Sequence, residues 1–451
     1  MDRIRWINHA GFELQTEGLR IVCDPWLDGL AFSQSWALLS ATRFAPADFD
    51  GVNYIWFSHE HPDHFSPATL RSIPQSHRAN ITILFQRTRD GRVARFCREL
   101  GFRKVLELHD WQKVELGRGV SFSLKTVDED SLCLIQTPER SYLNVNDCVS
   151  PNPRSLHESI AAKWGRPDVL FTQFSYANWA GNPGETATMK KSADEKLRQI
   201  ELQLEIYKPS TLIPFASFVW FCREDNFHLN AGSNKIGDIF RLFSPLIDCV
   251  ILYPGDLYNV GSTHDSSTAL ASYEADEGRH LRPLGIKEKA VLPDELDFLS
   301  ASHLAKVWSE NGKWVFWPLV VIGYVKPVTI YLTDISRSLT YSMLEGIRWK
   351  DLPRERTDIE FTSKAMAQML RNGSGYDTLY ISGRFIERRP GARFDLSKNF
   401  FVSRRNEHGQ FFPSTFLSPG FLFKKALHIL ASLASRRDQN AVELSRQKRP
   451  L

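Results

Sequence analysis

Three histidines and an aspartate stand within six residues of one another early in the chain, in the segment SHEHPDH over residues 58–64. Two histidines one residue apart at a strand end point the same way, so His59 and His61 can reach one metal ion. Asp63 and His64 on the following turn can reach a second ion nearby. A chance cluster in a polar loop is a weak alternative, because histidine supplies only 13 of 451 residues. The spacing predicts a two-metal site.

The elements around this segment indicate an α/β fold. Residues 4–27 alternate in hydrophobicity as a β-hairpin does, and residues 53–58 form a short apolar strand that runs into the histidines. A helical pattern follows, with Ser66 as its N-cap and Pro67 at its first position. Short strands then alternate with helices to about residue 262. We predict that residues 1–262 form the metal-binding domain.

The remainder of the chain indicates a second, smaller unit. Residues 263–290 are polar and without periodicity, which is typical of a linker or surface excursion. Residues 291–416 are predicted to form a small α+β module. Within it, the apolar residues 314–325 predict a buried strand, since they are too few to span a membrane, and residues 378–386 alternate as a strand does. This module is expected to shape the pocket or a homo-oligomer interface.

Residues 417–451 combine an amphipathic helix pattern at 421–435 with a basic tail. Contact with a membrane surface is one interpretation of this pattern. Lys424 and Lys425 interrupt the apolar face, so packing against a partner or the core is favoured over that contact.

Composition excludes several classes of protein. A net charge of +4 is too small to indicate a nucleic-acid partner. The six cysteines are scattered without a Cys-x-x-Cys pair, which argues against a disulfide framework or a thiolate zinc site. The N-terminus has no signal-like apolar run, and no transmembrane segment is evident. These features favour a globular protein in a reducing cytoplasm.

The 58–64 segment resembles the hallmark of the metallo-β-lactamase superfamily, His-x-His-x-Asp-His after a strand, whose fold is an αββα sandwich. The resemblance implies that His59 and His61 bind a first metal and that Asp63 and His64 bind a second. It also implies that Asp63 orients a metal-bound water or accepts its proton, with zinc, iron or manganese as the ion. The strand segment LNVNDC places Asp147 where the superfamily has a carboxylate that bridges both metals. An ordinary turn aspartate is the alternative.

Two further histidines of the superfamily pattern are missing here. Residues 126–131 read TVDEDS, and residues 214–217 read PFAS where Pro-x-His is usual. A lone histidine is more often structural than a metal ligand, so each substitute is weak by itself. The candidates for additional ligands are Asp128, Asp130, His9 and His228, and Asp24, in an Asp-Pro turn common in the superfamily, is expected to support the ligands from behind.

A narrower resemblance is to the metallo-β-lactamase-like part of the CMP-N-acetylneuraminate hydroxylase family, and more distantly to L-ascorbate-6-phosphate lactonase. That hydroxylase family also lacks the histidine at 214–217. It carries a Rieske iron–sulfur domain held by Cys-x-His and Cys-x-x-His pairs, and this sequence contains neither pair. The segments that carry the resemblance are residues 18–39, 56–70, 142–148, 212–230 and 376–385.

These features predict a metal-dependent hydrolase with one or two divalent ions, acting through a metal-bound water on a sugar-like or nucleotide-sugar metabolite. An iron-dependent oxygenase with a separate redox partner is the alternative, and a non-catalytic nucleotide-sugar-binding module is the third. Tyr176, Asn178 and Trp179 are candidate substrate contacts, because aromatic and amide side chains suit a sugar or base. A plain surface loop explains these three equally well.

Overall fold

A computed structural model describes residues 1–321 and 323–413 of the chain. These residues divide into two compact units. The first unit comprises residues 1–148, 161–288 and 377–386, and the second comprises 149–160, 289–376 and 387–413. The predicted amphipathic helix and the basic tail over 417–451 lie outside the described residues.

Runs of strands are separated by helices along the chain. The strands are β1 (Arg3–Asn8), β2 (Gly11–Thr16), β3 (Leu19–Cys23), β4 (Leu30–Ala31), β5 (Trp36–Leu38), β6 (Tyr54–Trp56), β7 (Thr82–Gln86), β8 (Lys104–Leu108), β9 (Lys113–Gly117), β10 (Val120–Val127), β11 (Asp130–Gln136), β12 (Ser141–Asn144), β13 (Val169–Gln173), β14 (Thr211–Phe215), β15 (Val219–Phe221), β16 (Asp248–Cys249), β17 (Leu257–Asn259), β18 (Val328–Leu332), β19 (Arg337–Ser342), β20 (Gly346–Lys350), β21 (Ile359–Phe361) and β22 (Ile386–Glu387). The helices are α1 (Pro67–Ser72), α2 (Gln75–Arg78), α3 (Arg92–Glu99), α4 (Pro153–Trp164), α5 (Thr186–Tyr207), α6 (Ile236–Phe243), α7 (Ser267–Glu277), α8 (Pro293–Asn311), α9 (Phe316–Val321), α10 (Ser363–Arg371), α11 (Gly375–Ser382) and α12 (Ala392–Glu407).

Two seven-stranded sheets form the core of the first unit. Their strand orders are β17-β1-β2-β3-β6-β7-β8 and β16-β14-β13-β12-β11-β10-β9. The sheets pack face to face. Phe12 of β2, in the first sheet, stacks on Phe171 of β13, in the second, with ring centroids 4.2 Å apart. Leu70 of α1 and Val93 of α3 are buried in a cluster with side chains of the first sheet. The predicted αββα sandwich with a smaller α+β module is therefore confirmed.

Parallel pairing in both sheets creates the edge on which the site is built. β3, β6, β7 and β8 are parallel neighbours, as are β12, β13, β14 and β16. All five residues of β7, and all five of β13, are buried, as expected for strands covered on both faces. Since the carboxyl ends of parallel strands meet at one edge, the loops after β3, β6 and β12 lie close together.

The first unit extends further along the chain than the predicted boundary at residue 262. Residues 263–290 contain helix α7, whose Tyr273 is fully buried, stacks on Phe218 and donates a hydrogen bond to the carbonyl of Leu252 at 2.8 Å. The segment reads as polar because few of its residues contribute to the core.

A short excursion late in the chain also belongs to the first unit. Residues 377–386 bring Arg384, which is 4% exposed, between the carboxylates of Asp225 and Glu288. Asn226 donates to the carbonyl of Ser382 at 2.7 Å. The buried arginine and its two carboxylates attach the C-terminal part of this segment to the rest of the first unit.

Two strand predictions near the C-terminus were wrong. Residues 314–325 contain α9 instead, where Pro318 is tolerated because it lies in the first helical turn and its missing N–H would have had no partner there. Residues 378–382 belong to α11 instead, which ends before Gly383, a residue in the left-handed region at φ +68°, and a strand, β22, begins only at Ile386. Short apolar runs do not separate helix from strand by periodicity alone.

The second unit has one sheet of order β20-β19-β18-β21-β22. α8, α10 and α12 belong to the same unit, and Tyr341 of β19 stacks on Phe400 of α12 with centroids 4.9 Å apart. The predicted helix at 363–372 is present as α10.

Acid should weaken this second unit through His303 of α8. Burial lowers its pKa to about 4, and its Nδ1–H donates to the carbonyl of Leu370 at 3.0 Å. The folded unit favours the neutral form of His303. The contribution of this histidine to the free energy of unfolding is therefore complete above pH 6.5 and is lost as the pH falls towards 4. Between pH 7 and pH 5 the loss should be on the order of 2 kcal/mol. Hydrogen exchange of α8 amides should show that loss in the wild type and not in His303→Asn, which keeps a donor; equal losses in both would contradict it.

Candidate metal centre

The predicted metal ligands lie on loops that leave the carboxyl ends of neighbouring strands. His59 follows β6 and Asp24 follows β3, and the amide of Asp24 donates to the carbonyl of Trp56 at 3.0 Å. Asp147 follows β12 in the opposite sheet. The sandwich thus brings residues more than 80 positions apart to one edge.

Six side chains form two clusters that could each hold a metal ion. The first contains His59, His61 and Asp147, and the second contains His9, Asp63 and His64. Within each cluster the potential ligand atoms lie within 4.8 Å of one another. Each cluster therefore offers two imidazoles and one carboxylate. His9 completes the second cluster.

The chemistry of these residues fits a bound cation. Oδ1 of Asp63 and Oδ1 of Asp147 are buried without a hydrogen-bond partner, and Asp63 is 4% exposed. A buried carboxylate oxygen without a partner is costly, and a divalent ion would supply the missing interaction. The His59, His61 and Asp147 group and the His9, Asp63 and His64 group are the sets that would hold the ions, which stays a prediction.

Asp24 and Ser58 orient the imidazole of His64 through its Nδ1 side, away from Asp63. The Asp24 carboxylate accepts hydrogen bonds from the amide of Ser58 at 2.8 Å and from its hydroxyl at 2.7 Å. Nδ1 of His64 lies 2.9 Å from the same carboxylate. With the Nδ1 proton held there, Nε2 is the nitrogen that faces Asp63, whose carboxylate oxygen is 3.3 Å away, and it is the one available to a metal that replaces its proton. This arrangement is the carboxylate–histidine pairing that fixes the tautomer of metal-binding histidines.

His9 is held by the tight turn between β1 and β2. Its backbone is in the left-handed region at φ +45°, and its amide donates to Oδ1 of Asn8 at 2.9 Å. A Cβ at Gly11 would lie 3.1 Å from the carbonyl oxygens of Asn8 and Asp24, so glycine suits this close approach. Nε2 of His9 consequently lies 3.3 Å from Asp63. Strain of this kind is common at functional sites.

Burial keeps three of the imidazoles neutral. It lowers the pKa of His9, of His59 and of His61, the last to about 4, because the charged form loses its hydration. A neutral imidazole has a lone pair available for a metal at neutral pH.

The carboxylates create a strongly negative local field. Burial opposes ionisation of Asp63, but His64 and His9 outweigh it and hold the pKa of that carboxyl well below its usual range. Burial also disfavours the charged form of His64, yet Asp63, Asp147 and Asp24 raise its pKa well above the ordinary value. A field that retains a proton on a buried imidazole also attracts a metal cation, which would replace that proton.

Of the other candidates, only Asp130 lies beside the clusters. Its carboxylate is 3.9 Å from Nδ1 of His59, and burial together with Asp147 raises its pKa to about 7. Asp128 is exposed in the tight β10–β11 turn at φ +53°. Nε2 of His228 contacts the carbonyl of Gly181 at 3.1 Å, and His228 belongs to neither cluster.

The candidate substrate contacts are largely taken up by internal packing. The Tyr176 hydroxyl donates to the carbonyl of Leu229 at 2.5 Å, and Tyr176 is buried. The Trp179 ring stacks on Phe385 with centroids 5.2 Å apart. Asn178 is half-buried. The sequence suggested that these aromatic side chains face a substrate, whereas Tyr176 and Trp179 pack inside the protein. Composition alone does not reveal such packing.

Sequence reasoning missed two side chains near the clusters. Ser58 directly precedes the histidines, so its position was an available signal. Lys196 of α5 donates to Oε1 of Gln173 at 2.5 Å, and its pKa is lowered by burial although Asp147 opposes that shift. No local pattern in the sequence distinguishes this lysine from its exposed neighbours.

Comparison with known proteins agrees with this fold. Residues 3–144 match the family model described as a beta-lactamase superfamily domain. The matched residues therefore form a metallo-β-lactamase superfamily domain that runs from β1 to β12 and includes the candidate ligands other than Asp147 and His228. Proteins of this fold generally hold one or two metal ions.

The similar proteins with curated descriptions include an iron-sulfur protein and a hydroxylase. The chain is 24% identical over 251 residues to a protein described as a Rieske 2Fe-2S iron-sulfur protein of Mycobacterium tuberculosis, covering 52% of this chain and 47% of that one. It is 29% identical over 170 residues to cytidine monophosphate-N-acetylneuraminic acid hydroxylase of Mus musculus, covering 35% and 28%. The chain thus spans about half or less of the length of these relatives. The resemblance to that hydroxylase family is confirmed at the level of homology.

Solved structures of the same fold are more distant. CmlA, a diiron beta-hydroxylase from Streptomyces venezuelae, is 16% identical with a TM-score of 0.41, covering 57% of this chain and 54% of that one. Igni18, a metallo hydrolase from Ignicoccus hospitalis, is 14% identical with a TM-score of 0.37, covering 58% and 99%.

Proposed function

We propose that this chain is a metal-dependent oxygenase that hydroxylates a sugar-like metabolite with electrons from a separate redox protein. The observation that carries the proposal is the donor set, two imidazoles and one carboxylate in each of two adjacent clusters. Two histidines and one carboxylate with open positions is the set used by non-haem iron oxygenases. Sequence reasoning placed hydrolysis slightly ahead of oxygenation. The same donor set also holds catalytic zinc in hydrolases, so the descriptions of the relatives are what favour the reverse order.

Two relatives of this chain favour oxygenation over hydrolysis. One is a hydroxylase of a nucleotide-sugar, and another is a Rieske iron-sulfur protein. The 451 residues contain no Cys-x-His or Cys-x-x-His pair, so a Rieske centre would lie outside them. Inserting one atom of O₂ into a C–H bond while reducing the other to water takes two electrons and two protons. The redox protein would supply the electrons.

Residues of this chain have distinct roles in the proposed reaction. Bound ions would supply Lewis-acid chemistry and, in the case of iron, one-electron chemistry. Asp24 and Ser58 fix the tautomer of His64. Asp130, with a pKa of about 7 beside His59, can hold or release a proton near neutral pH. The deep burial of the second cluster excludes bulk water from that side.

Metal-dependent hydrolysis is the second candidate. Two adjacent clusters also suit a two-metal hydrolase, in which an ionised carboxylate such as Asp63 orients the attacking water. Such an enzyme would act on an ester or lactone of a sugar without oxygen or a reductant. A non-catalytic nucleotide-sugar-binding module is the third candidate.

The test is metal analysis of anaerobically purified protein followed by turnover. CMP-N-acetylneuraminate is incubated with the protein, oxygen and a chemical reductant, and mass spectrometry looks for a product with one added oxygen atom. Iron, with turnover that needs both oxygen and reductant, supports the oxygenase. Zinc or manganese, with ester or lactone cleavage that needs neither, would establish the hydrolase instead. Binding without turnover, persisting in His59→Ala, would favour the binding module.

A further inference from the structure

Helix α9 and its flanks present an apolar surface in the second unit. Trp314, Trp317 and Val321 are 67%, 64% and 61% exposed, and Tyr324 is 47% exposed. We call these four residues the α9 face. The opposite side of the helix is anchored, because Phe316 is fully buried in a cluster with Val325 and Met343. Large exposed aromatic side chains grouped on one short segment mark an interaction surface.

The charged residues within 311–333 are basic, although Glu310 directly precedes this stretch and Lys398 pairs with Asp395 at 3.5 Å. Between residues 311 and 333 the sequence contains Lys313 and Lys326 and no acidic residue, and both lysines are exposed. Nζ of Lys398 lies 5.3 Å from the centroid of the Tyr324 ring. Tryptophan and tyrosine with a lysine rim are typical of residues at a membrane–water interface. Basic residues near such a surface are attracted by anionic lipids.

The end of the described chain lies close to α9. The amide of Phe412 donates to Oδ1 of Asn311 at 2.8 Å, and the Phe412 side chain packs against the cluster that contains Phe316. Residues 414–451 then carry seven Lys and Arg against two Asp and Glu. A second copy of this chain would bring two basic surfaces together, and so would docking of the basic tail. An anionic surface complements both the lysines near α9 and the basic residues of 414–451.

We propose that the α9 face docks on the surface of an anionic lipid bilayer, with Trp314 and Trp317 at the level of the headgroups. The docking is interfacial, because no helix among residues 1–321 and 323–413 is long and apolar enough to cross a membrane. Apolar burial and attraction of the lysines act together, so binding should need anionic lipid and weaken as salt rises. This inference does not depend on the reaction proposed for the metal centre.

The test is co-sedimentation of the full chain with vesicles. Vesicles of phosphatidylcholine with about one third phosphatidylserine are compared with pure phosphatidylcholine. The wild type should partition onto the anionic vesicles, and the Trp314→Glu/Trp317→Glu variant should bind at least about tenfold more weakly. Phe298→Glu is the matched control, since Phe298 is 70% exposed and about 20 Å along α8 from Gly312. It should bind as the wild type does. Circular dichroism verifies the fold of each variant.

Three results would overturn the proposal. Undiminished vesicle binding by the double tryptophan variant would place the contact elsewhere. A wild-type dimer that becomes a monomer in that variant without lipid would show that a second copy covers the α9 face. Protection of the α9 amides from hydrogen exchange in lipid-free wild type, lost in Leu427→Glu/Leu430→Glu, would show that residues 421–435 cover it.

Discussion

Replacing His61 with alanine should lower the metal content of the purified protein to less than about a tenth of the wild-type value. His61 is one of only two imidazoles in the first cluster, and Nδ1 of His61 lies 2.7 Å from Nε2 of His59. Its removal leaves one imidazole and the Asp147 carboxylate, too few protein ligands to hold a divalent ion tightly. His61 is also the least buried of the three histidines in the 58–64 segment, so the fold should survive the change.

Elemental analysis of protein purified without oxygen measures this loss. His109→Ala is the matched control, because His109 is exposed and lies outside both clusters. The control should retain the wild-type metal content. Full metal occupancy in His61→Ala would remove His61 from the ligand set. A metal-free wild type would refute metal binding by the whole centre and would also remove the basis of the proposed oxygenase.

Changing Asp24 should weaken metal binding without touching a ligand. Asp24→Asn keeps the volume of the side chain but places a donor towards the Ser58 hydroxyl and Nδ1 of His64. That donor favours the tautomer of His64 with the proton on Nε2, which faces Asp63 and the metal position. Metal affinity should fall about 10- to 100-fold. Asp24→Ala should show the same loss and also destabilise the metal-free protein by about 3 kcal/mol, because buried donors lose their acceptor.

Titration of metal-free protein with the metal found in the wild type measures the affinity, and thermal unfolding measures the stability. Asp50→Ala is the control, since the Asp50 side chain is 82% exposed. An unchanged affinity in Asp24→Asn would mean that the tautomer of His64 is fixed by another group. An unchanged stability in Asp24→Ala would mean that water replaces the lost acceptor at no net cost.

The local part of the centre could be predicted from sequence. His59, His61, Asp63 and His64 share one loop, so their mutual spacing follows from the strand and turn that carry them. The α/β alternation likewise predicted two layers of strands with helices outside. Binding of metal by these residues stays a prediction until an ion is measured.

The long-range part could not be settled in the same way. The position of His9 depends on the register between β1 and β2 and on the approach of Asp24 to Gly11, which no single segment encodes. Asp128 and Asp130 were equally good candidates in sequence, and a tight turn turns one outward and the other towards His59. The helices at 316–321 and 375–382 were missed because apolar runs of that length suit either a strand or a helix.

The late excursion at residues 377–386 fixes when the first unit can finish folding. Asp225 is synthesised 159 residues and Glu288 96 residues before Arg384, which pairs with both carboxylates. A nascent chain that has reached residue 290 can already pair Glu288 with Arg223, as in the folded protein at 3.2 Å, but it lacks Arg384, the partner of Asp225. The unit that carries the metal centre can therefore complete this ion pair only after residues 289–376 of the second unit have been synthesised.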